Sequence, residues 1–266
     1  MLQDRLRGGQ VKIKVLGCSG AEFPGHNPPS FLLDGSIVFD AGSLTSVLPE
    51  RAQLKIKHIF ITHAHLDHVR DITFLADNII VSGRQQQVSM ISIPSVLETI
   101  RQNVLNDKLW PDFTIIPNYE SAVLNYRAAQ EGKAIRLNGY RITPVPVVHS
   151  VPAVGYLVED GEGKSLFYTG DTGPTPGTGQ YLGKRHLDAL NIETSFPNKL
   201  ADLAVKTGHL TASLLRGELQ GLKVLPKRIY ITHPKPQYQK IIESEIRKLG
   251  LRNISMLKDG QILRIE

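Results

Sequence analysis

ITHAHLDH, residues 61–68, places three histidines and an aspartate within six consecutive positions, His63 to His68. Imidazoles and a carboxylate this close together disfavour burial unless a cation organises them. The preceding residues, KHIFITH (57–63), read as an apolar strand ending in Thr-His. Side chains alternate along a strand, so only a loop after it frees His63 and His65 to converge, while Asp67 and His68 face a second point nearby. Neutral imidazole and carboxylate are the usual ligands of zinc and related ions. The spacing H-x-H-x-D-H therefore predicts a metal site.

Further ligands are expected at the ends of later strands. His149 ends YRITPVPVVH (140–149), Asp171 ends KSLFYTGD (164–171), and His233 lies in KRIYITHPKP (227–236). The expected division gives His63, His65 and His149 to one ion, and Asp67, His68 and His233 to a second. Asp171 bridges them. Two divalent cations ~3.5–4 Å apart form the usual clamp for phosphoryl chemistry and lower the pKa of a shared water to give a bridging hydroxide. Zinc is the default, and manganese or iron accept the same N/O ligands.

The rest of the chain reads as α/β. Strands are expected at 11–17, 30–35, 36–42, 154–160 and the segments above, with helices at 95–107, 211–222 and 238–250. KHIFITH and KRIYITH look alike, which suits two similar βαβ-type halves with helices outside paired sheets. Residues 1–266 are expected to form a single domain, with 84–132 a lid or substrate-shaping insert within it.

Composition is that of an ordinary globular chain, 41% hydrophobic and 21% charged. No apolar run approaches the roughly 18 residues of a membrane span. The opening MLQDRLRGGQVKIKVLG carries charges where a signal peptide would be apolar. The single cysteine, Cys18, excludes an intrachain disulfide and suits a reducing compartment, so the cytoplasm is expected. Lys and Arg are scattered, and the net charge of +6 marks no nucleic-acid platform. Cys18, in a glycine-rich turn, reads as a small buried residue.

At its ligand residues the sequence resembles the metallo-β-lactamase superfamily over nearly the whole chain. The resemblance implies a four-layer αββα sandwich with a dinuclear site at the sheet edge. ETSFPNKLADLAVKTGHLTASLL (193–215), YTGDTGPT (168–175) and the closing ITHPKP extend it. Together with HAHLDHV they look like the class II 3′,5′-cyclic-nucleotide phosphodiesterases. That resemblance implies hydrolysis of cyclic AMP or cyclic GMP to the 5′-monophosphate, with Asp67, Asp171 and His209 carrying the chemistry. His209 is the candidate general acid or phosphate-binding group; the plainer reading makes it a helix cap. Ser195, Phe196 and Asn198, with Glu193, are expected near the substrate. Phe196 could stack on a purine but reads more readily as core, Lys235 could offset phosphate charge but reads more readily as a surface lysine, and His26 and Asn27 lie in a loop that either overhangs the metals or is a plain surface loop. His58 and His186 read as structural.

Two rivals stand beside this reading. Transfer-RNA 3′-processing endonucleases resemble the chain at HAHLDH, at the GDT turn and at GHLT, but usually add a glycine-rich basic arm that is not obvious here. A nucleotide-binding protein without turnover would be expected to lack a ligand, and all seven positions are filled. A homodimer, with the 84–132 segment of a neighbour over the pocket, is compatible with the sequence.

Overall fold

The computed structural model describes residues 11–183 and 185–265. The N-terminal half supplies strands β1 (Val11–Gly17), β2 (Ser30–Leu33), β3 (Ile37–Phe39), β4 (His58–Phe60), β5 (Val88–Ser92) and β6 (Leu124–Ala128). The second half supplies β7 (Ile135–Leu137), β8 (Tyr140–Pro146), β9 (Val154–Glu159), β10 (Ser165–Tyr168), β11 (Ala189–Glu193), β12 (Arg228–Thr232), β13 (Ile254–Met256) and β14 (Ile262–Ile265). These form two seven-stranded sheets, ordered β14-β1-β2-β3-β4-β5-β6 and β13-β12-β11-β10-β9-β8-β7. Each sheet is antiparallel on one side and parallel on the other: β3 to β6 in the first, β10 to β13 in the second. The last strand crosses to pair with the first, Val11 opposite Ile265.

Helices α1 (Leu44–Val47), α2 (Glu50–Gln53), α3 (Leu66–Val81) and α4 (Pro94–Asn103) belong to the first half, and α5 (Pro176–Leu182), α6 (Ala201–Thr207), α7 (Ala212–Gly221) and α8 (Gln239–Arg247) to the second. α3, with 16 residues, follows the ligand motif directly. It buries His68, Ile72, Leu75, Ala76 and Ile79, a helical stripe that holds its first turn against the sheet. Residues 84–132, expected as an insert, instead continue the first sheet through β5, α4 and β6. Their polar stretches conceal two short parallel strands. The longest stretch without helix or strand there is 104–123. No helix among the described residues is long and apolar enough to cross a membrane. The charged opening segment, residues 1–10, lies outside the described residues.

The two sheets meet through aromatic rings. Phe31, Phe39 and Phe60 of the first sheet face Tyr156 and Tyr168 of the second, with centroids 4.9 Å (Phe31–Tyr168), 5.8 Å (Phe39–Tyr156) and 5.3 Å (Phe60–Tyr156) apart. Truncating such a ring to alanine costs about 3–5 kcal/mol. A second apolar cluster on the other face of the second sheet joins Leu157, Phe167, Leu190 and Ile192 to Leu215 and Leu219 of α7. Alternation explains the split: Tyr156 and Val158 point to one cluster and Leu157 to the other. The central tyrosines also reach the functional edge. Tyr156 donates to the carbonyl of Ile61 (2.8 Å) and Tyr168 to Oδ2 of Asp40 (2.7 Å).

Candidate metal centre

Seven side chains converge beyond the ends of β4, β8, β10 and β12. His63 and His65 lie in the loop after β4, and Asp67 and His68 in the first turn of α3. His149 follows β8, Asp171 follows β10, and His233 comes immediately after β12. His63 Nε2 and His149 Nε2 lie 3.1 and 3.2 Å from His65 Nδ1. His233 Nε2 lies 3.4 Å from Asp67 Oδ2, and His68 Nε2 lies 3.9 Å from the same oxygen. Asp171 sits between the groups. Its Oδ2 is 3.7 Å from His63, while its Oδ1 is 3.4 Å from His68 and 3.3 Å from His233.

These spacings suit cations. Donors about 2.0–2.1 Å from a tetrahedral zinc ion lie roughly 3.3–3.4 Å apart. The groups His63, His65, His149, Asp171 and Asp67, His68, His233 each bring their donor atoms within 4.8 Å of one another. His68 Nε2 supplies the sharpest test: it is buried and has no hydrogen-bond partner. A buried, unsatisfied nitrogen is costly unless something beyond the protein uses its lone pair. The donor set fits two divalent ions.

Hydrogen bonds behind the rings fix the tautomers. Asp40 accepts from His68 Nδ1 at 2.8 Å. The Thr62 hydroxyl donates to Asp40 (2.9 Å) and so accepts from His63 Nδ1 (3.0 Å). His149 Nδ1 donates to the Gly208 carbonyl at 2.7 Å. Ser195 Oγ donates to Glu193 Oε2 (2.9 Å) and accepts from His233 Nδ1 (2.8 Å). In all four the other nitrogen, Nε2, is left with its lone pair toward the centre, as metal-binding imidazoles require. His65 is the exception and presents Nδ1.

Electrostatics agree. Burial holds His63, His65 and His149 below the ordinary histidine range, so each is a neutral imidazole near pH 7, the form that could hold a metal. At His68 burial acts in the same sense, but the carboxylates of Asp171, Asp40 and Asp67 outweigh it and favour positive charge there, a charge that a cation at Nε2 would supply in place of a proton. Burial would raise Asp171, yet His233 and His68 keep it ionised well below the usual carboxylate range.

The backbone is bent to serve this edge. His233 takes φ 63° and Asp40 φ 56°, the left-handed region that costs a non-glycine residue about 1–2 kcal/mol. At His233 the N–H bond to the Cys18 carbonyl (2.6 Å) and the Ser195 contact offset that strain. Gly208, at φ 71°, is obligatory for a further reason: a Cβ there would lie 2.9 Å from His149 Nδ1 and 2.8 Å from the Ser150 nitrogen.

His209 stands beside the ligands, with Nδ1 4.0 Å from Asp171 Oδ2. It does not cap α7, which Thr211 caps with its own hydroxyl, accepting from the Leu214 N–H. Instead Nδ1 donates to Glu193 Oε1 at 2.6 Å. Burial opposes the charged form, but Glu193 and Asp171 raise His209 above the ordinary histidine range. Ser195 is fully buried behind His233 and His209. Phe196, 9% exposed, packs its ring against His209, centroids 5.7 Å apart. The Asn198 side chain accepts from the Ser213 N–H at the start of α7. Lys235 is partly buried and donates to the Gly20 carbonyl.

Asp40, Thr62 and Tyr168 went unread in the sequence. Asp40 interrupts an apolar run, IVFDAG, which is the one signal it gave. Cys18 is buried with its thiol on Asp259 (3.3 Å), and burial followed by that carboxylate pushes its pKa far up, so it is inert. Asp259 also holds the Asn27 N–H (2.9 Å), tying down the loop that contains His26 and Asn27.

Two facing sheets with outer helices and a His/Asp centre at the strand ends constitute the metallo-β-lactamase fold, a fold that implies divalent metals. Residues 31–233 match the β-lactamase superfamily domain, and the chain belongs to that family. It is 27% identical over 236 residues to a protein of Yersinia pestis named probable 3′,5′-cyclic-nucleotide phosphodiesterase, covering 79% of this chain and 65% of that one. It is 30% identical over 154 residues to ribonuclease Z of Methanococcus maripaludis, covering 55% and 48%. The chain thus spans from about half to just under two thirds of these relatives. Unliganded yeast PDE1 superposes with a TM-score of 0.83 at 18% identity, covering 96% of this chain and all of that one.

Proposed function

We propose that the chain is a metal-dependent hydrolase of 3′,5′-cyclic nucleotides, converting cyclic AMP or cyclic GMP to the 5′-monophosphate. The carrying observation is the buried carboxylate of Asp171, with one oxygen toward each of two histidine-rich groups. His63, His65, His149 and Asp171 would hold one divalent ion, and Asp67, His68, His233 and Asp171 the other. Zinc is the expected species on ligand chemistry, with manganese or iron also accommodated. When bound, the pair supplies water activation and neutralises charge on the phosphoryl oxygens.

The protein's own groups complete the reaction. Hydrolysis forms a bond from water oxygen to phosphorus and breaks the bond from phosphorus to the 3′ oxygen, which must gain a proton. His209, held by Glu193 and raised in pKa, is the donor for that oxygen. Ser195 acts through His233 and His209 as a positioning residue rather than a contact to substrate. Phe196 packs a buried ring beside His209, and Asn198 accepts from the Ser213 N–H, fixing the start of the helix that follows His209. The named Yersinia relative supports the cyclic substrate.

Ribonuclease Z supports a second reading, cleavage of precursor transfer RNA at the same centre. Incubating metal-replete protein with cyclic AMP, cyclic GMP and a precursor transfer RNA separates the two. The expected result is 5′-monophosphate from a cyclic nucleotide; cleavage of RNA alone would replace the substrate.

A further inference from the structure

At the far end of β12 from the metal centre lies a cavity of about 580 Å³. Among the described residues its walls carry four cations, Lys227, Arg228, Arg252 and Arg264, against one carboxylate, Asp188. Asp188 is already engaged, accepting from Lys227 Nζ at 2.7 Å and from the Ser165 N–H at 2.9 Å. Among the described residues neither Arg228 nor Arg252 has a carboxylate within 4.0 Å. Guanidinium groups gathered in a concavity repel one another unless an anion joins them, and their forked donors match a phosphate.

The geometry points to a second binding site, free of metal, for the phosphate group of a small molecule. Tyr230, two residues beyond Arg228, shares its face of the strand and lines the same cavity, giving a flat ring beside the cations. The volume lies within the roughly 300–1,000 Å³ of small-molecule sites and suits a mononucleotide. Five residues at about 3.3 Å each separate Arg228 from His233, so a ligand here is some 16 Å from the metal ligands. The site does not depend on the proposed reaction, and either can fail alone.

Calorimetric titration of the full-length, metal-loaded protein with adenosine 5′-monophosphate, inorganic phosphate and adenosine tests it. The expected result, for the two phosphates but not for adenosine, is a binding event in addition to any at the metal centre, at least tenfold weaker in Arg228→Ala/Arg252→Ala and partly restored in Arg228→Lys/Arg252→Lys. Tighter binding of the nucleotide than of inorganic phosphate identifies the mononucleotide; equal binding identifies free phosphate. Hydrolysis of bis(4-nitrophenyl) phosphate is unchanged in these variants. Should the double variant fail to fold, Arg252→Ala, which lies outside any strand, carries the same test. Phosphate and nucleotide binding equal to the parent's, or binding of an RNA oligomer alone, overturns the assignment.

Discussion

Asp40 accepts the Nδ1 proton of His68 at 2.8 Å while also taking the Tyr168 hydroxyl at 2.7 Å and the Thr62 N–H at 2.8 Å. One fully buried carboxylate thus ties the first sheet, the second sheet and α3 together behind the metal centre. Asp40→Asn keeps the volume but offers the imidazole a neutral amide. Metal affinity, read by chelator competition, should fall about 10–100-fold. Unchanged affinity would show that Asp40 serves packing alone.

Gly208→Ala probes the opposite ligand. Strain at φ 71° and contact with His149 act together, so His149 must move. Hydrolysis should drop at least tenfold with the fold retained by circular dichroism. Gly25→Ala is the control: φ is 79°, but nothing lies within 4 Å of the added methyl. It should cost about 1–2 kcal/mol of stability and leave turnover intact.

How much of this was legible beforehand depends on the range of the interaction. His63, His65, Asp67 and His68 stood out because they crowd into six positions, and His149, Asp171 and His233 because each comes at the end of an apolar strand segment. Asp40 did not, because its role comes from β3 lying beside β4 and facing Tyr168 across the interior. The helix after the motif was missed although Ile72, Leu75, Ala76 and Ile79 carry its period; the ligands drew the eye to a loop. Strands β5 and β6 were hidden because each is five residues long and set among polar segments. The crossing of β14 into the first sheet is a matter of pairing between chain ends, which local sequence does not encode.

Glu193→Gln removes the charge that orients His209. Turnover should fall about 10²-fold with little change in KM. Because the carboxylate raises His209, its loss should also move the alkaline limb of the pH–rate profile to lower pH. A purely structural glutamate would leave that limb in place.

Asp188 gives a pH test away from the metal. Burial would raise its pKa, but Lys227 and the Ser165 N–H hold it below the usual carboxylate value. Its stabilisation is therefore complete above the unfolded pKa and is lost as pH falls through the lower folded value. Asp188→Asn should cost about 1–2 kcal/mol at pH 7, roughly 2–8 °C in melting temperature, and flatten the acid decline below about pH 4. Equal melting curves for both proteins across that range would remove Asp188 from the account.

The whole account turns on paired cations. Purified protein loaded with zinc, desalted and analysed by plasma mass spectrometry should retain two equivalents per chain, and Asp171→Ala at most one. A folded parent protein that retains none, after loading with zinc, manganese or iron, would contradict it.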